Sequence, residues 1–176
     1  MLRLSLFAAG FSLFALGLVW GQGDQARVLQ SQLERLFPEA ESFSEKEGSP
    51  PHFKAFGPAG AGGDPEVLGL AYWTTELEPL ERAYDGPIKM LVGMDMRGVI
   101  VGIIVTEHRE PYGYFSVDLP EFAAQFKQKN VRDGFRYGED IDAITRATVS
   151  VTSASRAVRN SSRRIARAHL TPPERQ

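Results

Sequence analysis

The chain has 176 residues, of which 43% are apolar, 24% charged and 10% aromatic, and this composition indicates one globular domain rather than a disordered or fibrous chain. Lysine and arginine (20) nearly balance aspartate and glutamate (22), so no chain-wide positive charge favours nucleic acid. The sequence has no cysteine, and its three histidines are far apart. Disulfides, iron–sulfur clusters and thiolate or histidine metal sites are thereby excluded, and any redox chemistry needs an organic cofactor.

The first 21 residues are typical of an export signal. Arg3 places one positive charge beside the amino terminus, and residues 4–19 carry no charge. This apolar run is shorter than the roughly 20 residues that span a bilayer. Small residues near Gly21 favour cleavage after that position over a membrane anchor retained at residues 4–20. We therefore expect an extracytoplasmic protein, either periplasmic or secreted.

After the signal, the apolar spacing predicts an amphipathic helix over residues 24–37, which Pro38 ends. Residues 40–65 are rich in glycine, proline and serine and predict two loops around one short strand at 53–56. Runs of β-branched and aromatic residues predict three further strands, at 67–75, 88–96 and 99–107.

The dipeptide Arg97-Gly98 separates the last two of these strands and predicts a hairpin. Two more helices are expected, at 120–127 and 148–168. The order of elements predicts an α+β fold in which helices flank an antiparallel sheet. In this division, residues 22–66 are a helix and loop extension, 67–170 the functional domain and 171–176 a frayed tail.

The last predicted helix is basic, because residues 143–170 contain six arginines and no acidic residue. A stripe at helical spacing is expected to be buried, and it comprises Val151, Ala154, Val158, Ile165 and Ala168. A second face carries Arg156, Arg159, Arg163 and Arg167. These arginines form either a solvated face or a surface for an anionic ligand or an acidic partner protein.

The start of this helix has a more specific pattern. Residues 142–148 place hydroxyl groups and small side chains where backbone N–H groups lack intrahelical partners. Such a terminus binds phosphate, because the free amides and the helix dipole both favour an anion. Helix capping alone would explain the same residue types.

The pattern Asp142-x-x-Thr145-x-Ala147-Thr148 resembles the Asp-x-x-Ser/Thr-Gly-Ala-Thr signature of extracytoplasmic FMN-binding domains. These domains occur in the C and G subunits of the Nqr and Rnf electron-transfer complexes and in NosR/NirI-type membrane regulators. In that family a flavin transferase of the ApbE type attaches FMN to the final threonine through a phosphoester. The resemblance implies that Thr148 carries FMN, with Thr145, Arg146 and Ala147 beside the phosphate.

Two more segments resemble the family in order and spacing, and the segment from His108 to Phe126 is most similar to the NosR/NirI branch. Residues 84–88 are similar to its Tyr-x-Gly-x-Ile motif, and residues 108–113 to its His-x-Glu-Thr-Pro-Gly flavin loop. The cofactor-binding residues that these segments imply are Tyr84, Gly86, His108, Glu110, Pro111, Tyr112 and Gly113. Backbone groups of the loop would bond the flavin edge. Its aromatic side chains would either pack on a ring face of the flavin or belong to the core.

Two departures qualify the resemblance. Arg146 stands where the signature has glycine, which permits positive φ or a close approach to the backbone. An arginine there would instead donate a charge-assisted contact to the phosphate. The flavin loop also departs from the family pattern, at residues 111–112. Asp142 would repel a phosphate dianion, so it is expected to cap the helix or to contact the transferase.

The sequence as a whole predicts an exported FMN-binding flavoprotein that acts in electron transfer and is not itself an enzyme. Its expected partners are the flavin transferase and membrane-associated redox proteins, and not nucleic acid. An alternative is an accessory or regulatory module of a nitrous-oxide-reductase-like respiratory system, without obligatory electron transfer. A small flavin-dependent reductase is a further alternative, which would need an open pocket and an acid–base residue beside the flavin.

Overall fold

The computed structural model describes residues 17–59, 63–142, 144 and 146–170, with side chains described from residue 23 onward. Most of the expected export signal and the expected tail at 171–176 lie outside these residues. Within them, no helix is both long and apolar enough to cross a membrane. The elements in chain order are α1 Gly17–Leu36, β1 Ser42–Phe43, β2 Phe53–Ala59, β3 Pro65–Trp73, α2 Thr74–Leu77, β4 Lys89–Asp95, β5 Ile100–Glu107, a 3-10 turn Gly113–Phe115, α3 Pro120–Ala124 and α4 Thr148–His169.

The chain divides into two units. The described part of the first, residues 17–31, is helical. The second begins at Gln32 and contains a sheet whose described strands number five, in the order β1-β2-β3-β4-β5, with every neighbouring pair antiparallel. The predicted α+β class with an antiparallel sheet and flanking helices is therefore confirmed. The first two strands come from the predicted 22–66 extension.

Most predicted elements are present with shifted ends. Helix α1 begins earlier than residue 24, and β2 continues beyond residue 56 to Ala59. The prediction that β3 reaches residue 75 is wrong, because the chain turns into α2 at Thr74. The Thr74 hydroxyl holds this turn: it accepts a hydrogen bond from the Met90 amide and donates one to the Ile88 carbonyl. Helix α3 ends at Ala124 rather than at residue 127. Over residues 125–127, hydrogen bonds from residue i to residue i−3 replace the α-helical bonds to residue i−4.

The predicted hairpin at Arg97-Gly98 is confirmed, and its turn is organised by one carboxylate. Asp95 Oδ1 accepts from the Arg97 amide at 2.9 Å and from the Val99 amide at 2.8 Å. Gly98 has a φ of 82°, a conformation that glycine adopts without steric cost. The turn pairs β4 with β5, which leads directly into the predicted flavin loop.

Helix α4 packs its predicted stripe into the core. Val151, Ala154, Val158 and Ile165 are fully buried in one cluster with side chains of β3, β4 and β5. The Tyr72 hydroxyl on β3 donates to Ser162 Oγ on α4 at 2.7 Å, and burial raises the pKa of Tyr72. The prediction that Ala168 belongs to this stripe is wrong: it is exposed, because it lies in the last turn just before α4 ends.

Arginines on this face of α4 bond to other parts of the same chain, which neither interpretation of the sequence predicted. Arg163 donates through Nε to the Val131 carbonyl and through Nη2 to the Asp133 carbonyl, both at 2.8 Å. Arg156 Nη2 pairs with Glu81 Oε1 at 2.7 Å. These contacts fix α4 along its length, so its N-terminal turn is presented by a firmly anchored helix.

The opposite end of α4 holds a pair of imidazoles. The ring centroids of His52 and His169 are 4.2 Å apart, and His52 Nδ1 lies 3.0 Å from the Pro50 carbonyl oxygen. The Nε2 atoms of both rings are buried without a hydrogen-bond partner among the described residues. Burial lowers the pKa of His169, and the charges of His52 and Lys54 lower it further, against a Pro50 carbonyl contact that raises it.

We expect this pair to make stability fall as the pH drops below about 6.5, the ordinary pKa of histidine. In that range the unfolded chain binds a proton at residue 169 that the folded chain resists, so acid favours unfolding. Thermal unfolding at pH 7.5 and 5.5 should show a loss in Tm on the order of 2 °C larger for the wild type than for His169→Gln. Equal losses in the two proteins would contradict this assignment.

Candidate functional site

The N-terminus of α4 presents backbone N–H groups that lie outside the helical hydrogen-bond ladder. The helix begins at Thr148, with Ala147 as an N-cap whose side chain cannot accept a hydrogen bond. The first intrahelical bond runs from the Val151 amide to the Ala147 carbonyl at 2.9 Å. The amides of residues 148–150 therefore precede the helical ladder, and no described residue accepts from them. Their N–H groups and the helix dipole together suit the binding of an anion.

The prediction that Asp142 caps this helix is wrong. It lies six residues before Thr148, its side chain is exposed, and its amide donates to Gln125 Oε1 at 2.6 Å. The loop between Asp142 and the helix is too long for a capping contact of the usual type. A contact between Asp142 and a transferase stays a prediction. Thr145, the other hydroxyl predicted at this terminus, lies outside the described residues.

The Thr148 side chain is exposed and held by a partner that sequence reasoning missed. Thr148 Oγ1 donates to the phenolic oxygen of Tyr137 at 3.1 Å. Tyr137 precedes it by eleven residues, and nothing in the local spacing indicates that the two hydroxyls meet. The hydroxyl predicted to carry the cofactor is thus both accessible and oriented.

Arg146 has a left-handed backbone conformation at the position where the signature has glycine. Its φ is 69°, in the left-handed region, which costs a non-glycine residue about 1–2 kcal/mol. The side chain is exposed and lines the same cavity as Thr148. The turn before α4 therefore keeps the geometry of a glycine turn and adds a guanidinium beside the free amides.

Glu110 connects three separate segments of the site. Its carboxylate is buried, and Oε1 accepts from the Asp85 amide at 2.9 Å. The other oxygen, Oε2, accepts from the Tyr84 amide at 3.3 Å and from the Ser150 hydroxyl. The side chain thus points into the protein and joins the residue 84–86 turn, the flavin loop and the first turn of α4. Sequence reasoning placed Glu110 at the site but did not find this bridging role.

His108 and Gly113 form a structural unit behind the loop. His108 Nδ1 accepts from the Glu110 amide at 3.1 Å, so Nε2 carries the proton and donates to Asp118 Oδ1 at 2.6 Å. A Cβ built on Gly113 would lie 2.1 Å from His108 Cε1, so glycine is required there by close packing. Both imidazole nitrogens are used within the chain, which makes His108 a positioning residue rather than a cofactor ligand.

These elements surround a cavity of about 220 Å³. Five of the predicted site residues line it together with Val149 and Ser150, namely Tyr84, Pro111, Tyr112, Arg146 and Thr148. Glu110, Gly113 and Ala147 are buried and do not line it. Gly86, His108 and Asp142 also lie outside its lining, and Gly86, with a φ of 128°, packs near the Arg109 guanidinium. A groove of about 530 Å³ elsewhere on the sheet contains none of the predicted residues.

Residues 83–162 match the family model of the FMN-binding domain, and this range includes the whole lining of the cavity. No curated protein matches the chain significantly. The closer resemblance to the NosR/NirI branch stays a prediction. The chain therefore contains an FMN-binding domain at residues 83–162, and this domain indicates FMN as the cofactor.

Proposed function

We propose that this flavin-binding protein is an exported electron carrier whose FMN is linked to Thr148 as a phosphoester. The observation that carries the proposal is the exposed Thr148 hydroxyl at the first position of α4, on the wall of the cavity and beside free amides. A phosphate at that position would meet the N–H groups of residues 148–150 and the guanidinium of Arg146.

The cavity walls fit the rest of FMN in chemical type. Tyr84 and Tyr112 have 74% and 47% of their surface exposed at the cavity, so their rings are free to pack against an aromatic ligand. FMN supplies the one- and two-electron chemistry that the chain's own side chains lack. The protein contributes binding, orientation and the electrostatic surroundings of the flavin.

The size of the cavity supports a covalent link. Pockets that enclose small ligands measure about 300–1,000 Å³, and this one, at about 220 Å³, is smaller. A flavin here would be only partly covered, so contacts alone would hold it weakly. An ester to Thr148 would prevent its loss to the surroundings, and the uncovered part would be accessible to partner proteins.

The same features favour electron transfer over catalysis on a small substrate. Among the described residues that line the cavity, none is a carboxylate or an imidazole, the groups that enzymes use most often as acid and base. We propose that membrane-associated redox proteins exchange electrons with the exposed flavin, and that a transferase of the ApbE type attaches it outside the cytoplasm. The apolar run at residues 4–19 supports export.

Mass spectrometry of the full chain, exported from a host with and without a flavin transferase, tests the proposal. The expected gain is one FMN less one water, present only with the transferase. Trypsin should release residues 147–156, and fragmentation should place the gain on Thr148 rather than on the other hydroxyls of that peptide. Reversible reduction and reoxidation of the bound flavin by a soluble redox protein would support electron transfer. An unmodified chain under these conditions would overturn the covalent link.

Arg146 provides a separate prediction that does not depend on the ester. Arg146→Gly should raise Tm by about 2 °C because glycine relieves the left-handed backbone. It should also raise the Kd for free FMN about tenfold, because the contact between the guanidinium and the phosphate is lost. Both are measured on chains produced without a transferase.

Gln128→Gly is the matched control for this substitution. Gln128 has a φ of 71° and lies outside the cavity lining, so its replacement should raise Tm without changing the Kd for FMN. Unchanged FMN affinity in Arg146→Gly would show that the guanidinium does not contact the phosphate.

A further inference from the structure

We propose that Tyr137 is a positioning residue for flavin attachment, which orients the Thr148 hydroxyl for attack on phosphorus. This inference rests on the proposed ester at Thr148. It adds a residue that lies outside the signature and outside the cavity lining. The hydrogen bond from Thr148 Oγ1 to the Tyr137 hydroxyl, at 3.1 Å, is its starting point.

The phenol is held in place by a rigid turn. Tyr137 is half-buried and packs against the hydrophobic core. Its backbone forms an isolated parallel bridge with Ile141, and the Gly138 amide donates to the Ile141 carbonyl at 2.7 Å. The Asp140 carboxylate accepts hydrogen bonds from the backbone amides of residues 135 and 136, which directly precede Tyr137. The Tyr137 hydroxyl is therefore held in one position, and the hydrogen bond to it orients the exposed Thr148 side chain.

The direction of the hydrogen bond suits nucleophilic attack. When Thr148 Oγ1 donates to Tyr137, its lone pairs are left free to face solvent. The β-branched side chain already restricts χ1, and the hydrogen bond selects one of the remaining rotamers. An orientation set before the transferase binds removes part of the entropy cost of the reaction.

The step itself balances with a flavin phosphoanhydride as donor. The Thr148 oxygen forms a bond to the phosphorus that bears the flavin, the phosphoanhydride P–O bond breaks, and a nucleoside monophosphate leaves. As the O–P bond forms, the hydroxyl proton leaves its hydrogen bond to Tyr137 and passes to a base of the transferase, because a neutral phenol accepts a hydrogen bond but not a proton. The new ester oxygen carries no hydrogen, so the Tyr137 hydroxyl is then free to donate.

The test is the initial rate of mass gain with purified transferase and its flavin donor. Tyr137→Phe should lower kcat about fivefold with little change in the KM for the chain, because one neutral hydrogen bond is lost. Tyr114→Phe is the control, since Tyr114 is 70% exposed and does not line the cavity. Thermal unfolding of the unmodified chains should show that all three are folded.

A second comparison separates positioning from a purely structural role. Serine lacks the methyl group that restricts χ1 of threonine, so the effect of Tyr137→Phe should be larger in a Thr148→Ser background. A structural role would give the same factor in both backgrounds. A wild-type rate in Tyr137→Phe overturns the inference while the ester stands. Absence of mass gain in the wild type overturns the proposed function, and the inference with it.

Discussion

Thr148→Val is expected to abolish covalent flavin while leaving the fold intact. Valine has the shape of threonine without its hydroxyl, and the side chain is exposed at the first position of α4, so packing changes little. The lost hydrogen bond to Tyr137 should cost about 1 kcal/mol at most. The loss of attachment should be complete, because no phosphoester forms without the oxygen.

Intact mass after coexpression with the transferase measures this effect, and Thr152→Val is the matched control. Thr152 lies one helical turn later in α4 and outside the cavity lining, so its variant should gain FMN as the wild type does. The free amides of residues 148–150 remain in Thr148→Val, which should still bind free FMN. Flavin attached to Thr148→Val would place the ester on another hydroxyl.

Glu110→Gln is expected to weaken both the fold and the flavin site. The glutamine side chain retains one oxygen, whereas the carboxylate uses both to accept from two amides and the Ser150 hydroxyl. A buried N–H group would then face the new side-chain NH₂ and lose its acceptor, which costs about 1–3 kcal/mol of folding free energy. We expect Tm to fall by about 4–8 °C for a loss near 2 kcal/mol.

The flavin content of the same variant should also fall, because the residue 84–86 turn is no longer tied to α4. Differential scanning calorimetry and the ratio of flavin absorbance to protein absorbance measure the two effects. Glu107→Gln, three residues earlier and exposed, is the control and should behave as the wild type. A stable Glu110→Gln variant with full flavin content would show that the carboxylate does not organise the site.

The sheet could be predicted from sequence because its signals are local. Alternating and β-branched residues located β3, β4 and β5, and a glycine at a turn located the hairpin. Strand β1 has two residues, too few for any periodicity, and forms through pairing with β2. The early end of β3 depends on Thr74 meeting Met90, a contact that spacing does not indicate.

The candidate site was predictable only in part, for a related reason. Signature residues such as Thr148 and Arg146 are adjacent in the chain, so their pattern is visible as text. Glu110 meets partners 25 to 40 residues away, and only the folded chain brings them together. Tyr137 belongs to no recognisable motif. Sequence therefore indicates the candidate cofactor site but not which distant side chains maintain its geometry.

With FMN attached to Thr148 as proposed, the bridge through Glu110 would also set an order of events. Because its partners come from two distant stretches of chain, the proposed acceptor site does not form until the domain has folded. A chain that crosses a membrane unfolded would arrive without flavin, fold, and only then become a substrate for modification. Cofactor loading would thus act as a checkpoint on maturation, because misfolded copies would lack the assembled site and remain colourless.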